Sequence, residues 1–180
     1  MQFQEEYKLK IGDQAIDFNL PAVEGGSNTL GDFPGEVIVV VFMCNHCPYV
    51  IGNLERIKNL QTEFGGRLDV IGINSNDAEK FPQDSFEAMQ ELKREKFINF
   101  AYLHDESQEI AKAYGAVVTP HFFVFDSDRK LQYQGRFDDH MEDEENESAD
   151  IKDAVRALLD GEEVKVKTTP VEGCSVKWKD

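Results

Sequence analysis

Val37-Ile38-Val39-Val40-Val41-Phe42-Met43-Cys44-Asn45-His46-Cys47-Pro48 is the stretch that decides the fold. Its first six residues are β-branched or aromatic and carry no charge. That composition predicts a central strand covered on both faces, since a strand with one wet face would alternate. The apolar run ends at Met43 and is far too short to cross a bilayer. Two cysteines and a proline follow at once. Beyond them Val50, Ile51, Leu54, Ile57, Leu60 and Phe64 recur every three or four residues, which predicts an amphipathic helix stopping at Gly65-Gly66. A strand, a Cys-x-x-Cys and a helix are therefore joined without a spacer.

The rest of the chain continues the alternation. Leu68 to Ile73 reads as a second buried strand, and Asp84 with Glu87 as a capping pair opening a helix through Phe86, Met89 and Leu92. A short helix from Gln108 to Tyr114 is closed by Gly115. His121 to Phe125 and Leu131 to Arg136 form strands joined by the turn at Asp126-Ser127-Asp128. A last helix carries Ile151, Val155, Leu158 and Leu159 and ends at Gly161. This order predicts an α/β fold with a mixed central sheet and helices on both faces. Residues 1–162 form one domain containing an acidic loop at 138–150, and residues 163–180 form an extended C-terminal tail carrying Cys174.

The 180 residues hold 19 Lys and Arg against 35 Asp and Glu, a net charge of −16. A field of that sign repels nucleic acid and anionic membranes, so neither is expected as partner. Eight of the acidic residues fall between Asp138 and Asp150, around His140, without the Asp-x-Asp-x-Asp-Gly pattern of a calcium loop. The N-terminus has no basic segment leading into an apolar one, so the expected compartment is the cytoplasm. Three cysteines are too few for a disulfide scaffold.

Placement gives two of those cysteines their chemistry. A helix N-terminus presents unpaired N–H groups and partial positive charge, which stabilise a thiolate and raise its reactivity at neutral pH. Cys44 is expected at that helix start, open to solvent, as the attacking thiol. Cys47, a turn further on, resolves the mixed disulfide. His46, lying between them, tunes the thiolate.

The order strand, Cys-x-x-Cys, helix, together with Val118-Thr119-Pro120 before the strand at His121, resembles the thioredoxin superfamily. Ile11 to Leu20 is similar to the opening of its redoxin group, which covers the AhpC/TSA and ResA/TlpA-like proteins. Cys44 to Tyr49, Gly72 to Asp77, Gly135 to Asp139 and Gly173 to Lys179 resemble a bacterial redoxin subfamily with a Cys-Asn-His-Cys site. The resemblance implies a thioredoxin-like fold, a cis Pro120 against the cysteine pair, and a Thr119 whose backbone frames an extended substrate. It implies a thiol–disulfide oxidoreductase working without cofactor or metal on protein or small-molecule thiols and disulfides.

Departures from better-known relatives matter as well. Peroxiredoxins carry Pro and Thr seven and three residues before the reactive cysteine. Here those places hold Val37 and Val41, or Val40 and Cys44, so a thiol-dependent peroxidase acting on peroxide is the alternative reading. Ile38 and Val50 stand where relatives carry an acid, which leaves His46, His121 and water as proton acceptors for Cys47. Arg136 serves an ion pair or steadies a thiolate, and His104 ends a strand. A zinc-binding or redox-sensing module would join Cys44, Cys47 and Cys174 to one histidine. Cys174 is otherwise a tail thiol or a third redox cysteine that modulates the pair.

Overall fold

The computed structural model describes the backbone of Gln2 and Phe3 and residues 6–139 and 149–180. The elements begin with β1 (Gln2–Phe3), β2 (Asn19–Pro21), β3 (Ser27–Thr29), β4 (Val37–Phe42), α1 (Pro48–Phe64) and β5 (Leu68–Asn74). There follow α2 (Phe86–Glu95), β6 (Ala101–His104), α3 (Glu109–Tyr114), β7 (Val118–Thr119), β8 (His121–Phe125) and β9 (Leu131–Gly135). The chain ends with α4 (Asp150–Leu159), β10 (Val171–Glu172) and β11 (Cys174–Ser175). His104 closes β6, the strand end expected for it, and His140 lies outside the described residues.

Five strands form the central sheet in the order β6-β5-β4-β8-β9. β4, β5 and β6 run parallel, while β8 and β9 run antiparallel to their neighbours. β4 lies in the middle, and all six of its residues are buried. Its period of two divides the core. Val37, Val39 and Val41 meet Leu54 and Ile57 of α1, Met89 of α2 and Ile151 and Val155 of α4. Ile38, Val40 and Phe42 face Ala111 and Tyr114 of α3 together with Leu9, Phe18 and Leu20 of the N-terminal segment. Helices therefore cover both faces, as the uninterrupted apolar strand requires. None of the described helices is long and apolar enough to cross a membrane.

The last eighteen residues are integrated into this body. β10 pairs antiparallel with β1, β11 pairs antiparallel with β7, and Trp178 packs against the α3 side of the core. At the start of the acidic segment, Asp138 forms a buried ion pair with Arg56, whose guanidinium lies 4.7 Å from the Phe137 ring centroid. Residues 140–148 of that segment are outside the described residues.

Ile57, fully buried, anchors α1 on β4 and so fixes the helix that begins beside the cysteines. Truncating it to Ala should cost about 2–5 kcal/mol of stability, measured as a lowered urea midpoint at unchanged slope.

Candidate active site

The site lies where β4 runs out into α1. Helix α1 starts at Pro48, and Cys47 is its N-cap, with extended backbone at φ −72° and ψ 124°. Proline at the first helical position needs no N–H partner, so Pro48 sets the start there. The expectation that Cys44 opens the helix is thereby corrected: Cys44 precedes it by a three-residue loop. Cys44 is also closed to solvent, 1% exposed, and Cys47 is fully buried.

Thr119 meets both thiols. Its peptide to Pro120 is cis, as the resemblance implies. Cys44 Sγ lies 3.5 Å from Thr119 Oγ1, and Cys47 Sγ lies 3.3 Å from the Thr119 carbonyl oxygen. Each thiol acts on the proton affinity of the other. Donors around Cys47 decide which thiol carries the charge. The Cys44 S–H is the strongest influence holding Cys47 well below the ordinary thiol value of 9.0. Burial opposes this shift. The Cys174 S–H and the backbone N–H groups of Val50 and Cys174 then add to it. The Thr119 carbonyl favours a neutral Cys47, but it is one acceptor against four donors. Seen from Cys44, the bond to Cys47 pushes the thiol up, followed by burial, and the Asp84 carboxylate adds a smaller push in the same direction. The contact between the two thiols thus lowers Cys47 and raises Cys44, while the Thr119 hydroxyl acts on Cys44 in the opposite, lowering sense.

Asp84 is the residue that sequence reasoning misplaced. Ser85 caps α2, its hydroxyl accepting from Ala88 N at 3.2 Å, and Asp84 instead turns inward, fully buried. Its Oδ1 accepts from Asn45 N at 2.7 Å, and its Oδ2 accepts from Asn76 Nδ2 at 2.8 Å. The same Oδ2 lies 2.7 Å from His46 Nδ1. Donor atoms of Cys44, His46 and Asp84 fall within 4.8 Å of one another. Tyr102 donates to Asn45 Oδ1 at 2.7 Å and pins the loop between the cysteines. Asn74 to Asp77, buried polar residues where β5 ends, supply Asn76 to this cluster, in keeping with the way ligand-handling groups collect at the ends of parallel strands.

The remaining candidates separate from the pair. His121 is fully buried, stacked on Phe123 with ring centroids 4.3 Å apart, and Phe123 belongs to the opposite face of the sheet. Burial pulls its imidazole down to about 3. It is therefore removed from the proton acceptors for Cys47. Arg136 pairs with Asp150 at 3.0 Å. The three thiols with one histidine do not make a metal cluster: among the described residues, Cys44, His46 and Asp84 form the one group with metal-ligand spacing. Cys174 packs against the core cluster that holds Cys47 and lowers the proton affinity of that thiol. Burial first, then the Cys47 thiolate, push its own thiol up to about 11.

A sheet of this topology with a vicinal cysteine pair at the end of its central strand defines a thioredoxin-like thiol–disulfide redox protein. The AhpC/TSA family matches residues 11–134, and the chain belongs to that family. It is 23% identical over 130 residues to the thiol-disulfide oxidoreductase ResA of Bacillus cereus, covering 72% of this chain and 71% of ResA. Over 147 residues it is 26% identical to the peroxiredoxin Bcp of Escherichia coli, covering 73% and 86%. The match to the thioredoxin-like protein YneN of Bacillus subtilis, 29% identical over 77 residues, spans less than half of that relative, 45%. A crystal structure of a hypothetical protein from Sinorhizobium meliloti superposes with a TM-score of 0.90 at 38% identity, over 96% of both chains.

Two outcomes follow from the charge arrangement. The folded-state value of Cys47 lies below its unfolded value of 9.0, so the stability it contributes is complete above pH 9 and fades as pH falls toward the folded value. Under reducing conditions the melting-temperature difference between wild type and Cys47→Ser should therefore shrink on acidification from pH 9. Asp84→Asn keeps the shape but loses the charge beside His46; disulfide turnover at pH 7 should fall by about tenfold or more with an altered pH profile. An unchanged profile would exclude a role for the Asp84 carboxylate.

Proposed function

We propose that the protein reduces disulfides by a dithiol mechanism in which Cys47 attacks and Cys44 resolves. The observation that carries this reading is the buried sulfur pair at the N-terminus of α1, where the Cys44 thiol is the strongest influence lowering Cys47 and Thr119 meets both sulfurs. The Cys47 thiolate attacks one sulfur of a disulfide R–S–S–R, forming a mixed disulfide and expelling R–S⁻. Cys44 passes its proton to the His46 imidazole, and the Asp84 carboxylate stabilises the imidazolium. The Cys44 thiolate then attacks Cys47 Sγ, closing the Cys44–Cys47 disulfide and releasing the second R–S⁻. His46 is suited to the transfer because its side chain is 31% exposed while Asp84 holds it from inside. Thr119 and Pro120 frame the sulfurs rather than react. The chemistry calls for no cofactor.

Small-molecule or protein disulfides are the proposed substrates, and the cytoplasm is the proposed compartment. The test compares wild type, Cys44→Ser and Cys47→Ser with hydroxyethyl disulfide and with hydrogen peroxide. Cys47→Ser should abolish disulfide turnover, and Cys44→Ser combined with Cys174→Ser should accumulate a mixed disulfide on Cys47. Peroxide should be consumed no faster than by a free thiol. Rapid, Cys47-dependent peroxide consumption with slow disulfide turnover would replace this reading with a peroxidase.

A further inference from the structure

The edge of β7, which the resemblance assigns to an extended substrate, is taken by the chain's own C-terminus. β11 pairs antiparallel with β7, setting Cys174 opposite Thr119 and Ser175 opposite Val118. The approach is so close that a Cβ at Gly173 would lie 2.1 Å from the Thr119 carbonyl oxygen, inside backbone contact distance. Val176 N donates to Val117 O at 3.0 Å, and Asp77 N to Lys177 O at 2.8 Å. Gln108, buried in a left-handed conformation at φ +66°, donates to Lys177 O at 2.8 Å and accepts from Lys179 N at 2.9 Å. Lys177 N donates to Asn76 Oδ1 at 2.9 Å. Backbone and side-chain bonds thus hold the tail in register over the thiol pair. Within this arrangement Cys174 stands opposite the Thr119 that meets Cys47, packs against the core cluster that holds Cys47 and is partly exposed, while neither Cys44 nor Cys47 is open to solvent.

We propose that Cys174 is a third redox thiol that relays oxidation from the buried pair to the surface. The proposal rests on the dithiol reading above and names the intramolecular partner of that site. Starting from the Cys44–Cys47 disulfide, the Cys174 thiolate attacks Cys47 Sγ. The Cys47–Cys174 bond forms as the Cys44–Cys47 bond breaks, Cys44 leaves as a thiolate, and it takes the proton that Cys174 gave up through His46. No electrons are gained or lost. An external small thiol R–SH, as its thiolate, then attacks the exposed Cys174 sulfur and releases the Cys47 thiolate. A second R–SH liberates Cys174 and yields R–S–S–R, so two thiols are oxidised and the enzyme regains three reduced cysteines. Attack at Cys174 needs no opening of the strand pair that covers Cys44 and Cys47.

The full chain is oxidised with one equivalent of hydroxyethyl disulfide, quenched by alkylation and mapped by peptide mass. The relay predicts two intramolecular disulfides in wild type, Cys44–Cys47 and Cys47–Cys174, and the second alone in Cys44→Ser. Cys174→Ser, nearly isosteric, should form Cys44–Cys47 as before but lose about tenfold or more in steady-state turnover with β-mercaptoethanol as reductant. Gly173→Ala, which cannot dock against Thr119, should show the same loss at a similar melting temperature. The relay is overturned if Cys174 is alkylated in every oxidation state or if Cys174→Ser turns over at the wild-type rate. Failure of wild type to form Cys44–Cys47 at all would overturn the dithiol reading beneath it.

Discussion

Thr119 is the residue on which the site depends, because three segments of the chain close on it at hydrogen-bond range. Its hydroxyl meets Cys44, its carbonyl meets Cys47, and its backbone pairs with Cys174. The strand after it, β8, pairs with β4, and β4 delivers Cys44. The sulfurs are therefore placed by the end of β4, the start of α1 and the pairing of β11 with β7, all of which meet at Thr119. The same crowding leaves Gly173 without room for a side chain, so the third sulfur reaches Cys47 through a glycine at closest approach.

Charge placement then divides labour between two chemically identical thiols. Helix N-terminal N–H groups and neighbouring S–H groups converge on Cys47, whereas the Asp84 carboxylate stands nearer Cys44 and resists its ionisation. A buried carboxylate is costly unless its oxygens are satisfied. Asp84 meets that condition with Asn45 N and Asn76 Nδ2, and retains His46 as the one ionisable neighbour that can deliver a proton to solvent. Burial strengthens each of these contacts, since an effective dielectric well below that of water enlarges every hydrogen bond to a charged sulfur.

The fold was largely legible from sequence, because β4 reads as a two-faced buried strand and α1 as an amphipathic helix on periodicity alone. The pair Cys44 and Cys47 and the neighbours Thr119 and Pro120 were legible as well. What failed was local. Pro48 moves the helix start past Cys44, an effect that the Cys-x-x-Cys spacing does not disclose. Asp84 precedes a helix and reads as a cap, but Ser85 takes that role and frees the carboxylate to turn inward. His121 looks close to the site in the chain, yet the two-residue period of β8 sends it to the other face. Asn76 and Gln108 were illegible for a different reason: their partners lie in the tail, and a register between segments so far apart in sequence leaves no periodic trace.

Asn76 shows why the tail and the acid–base groups belong to one device. Its side-chain amide donates to Asp84, and its side-chain oxygen accepts from Lys177 N. The carboxylate that faces His46 is thus held by a residue that also holds β11. A tail out of register would withdraw the Cys174 donors from Cys47 and, through Asn76, loosen Asp84 at once. The lowered proton affinity of Cys47 and the placement of Asp84 against His46 are consequently properties of the docked chain as a whole. In a site so built, the C-terminal strand and the groups around the thiol pair share their hydrogen-bond partners, so the tail is part of the site rather than a cover laid over it.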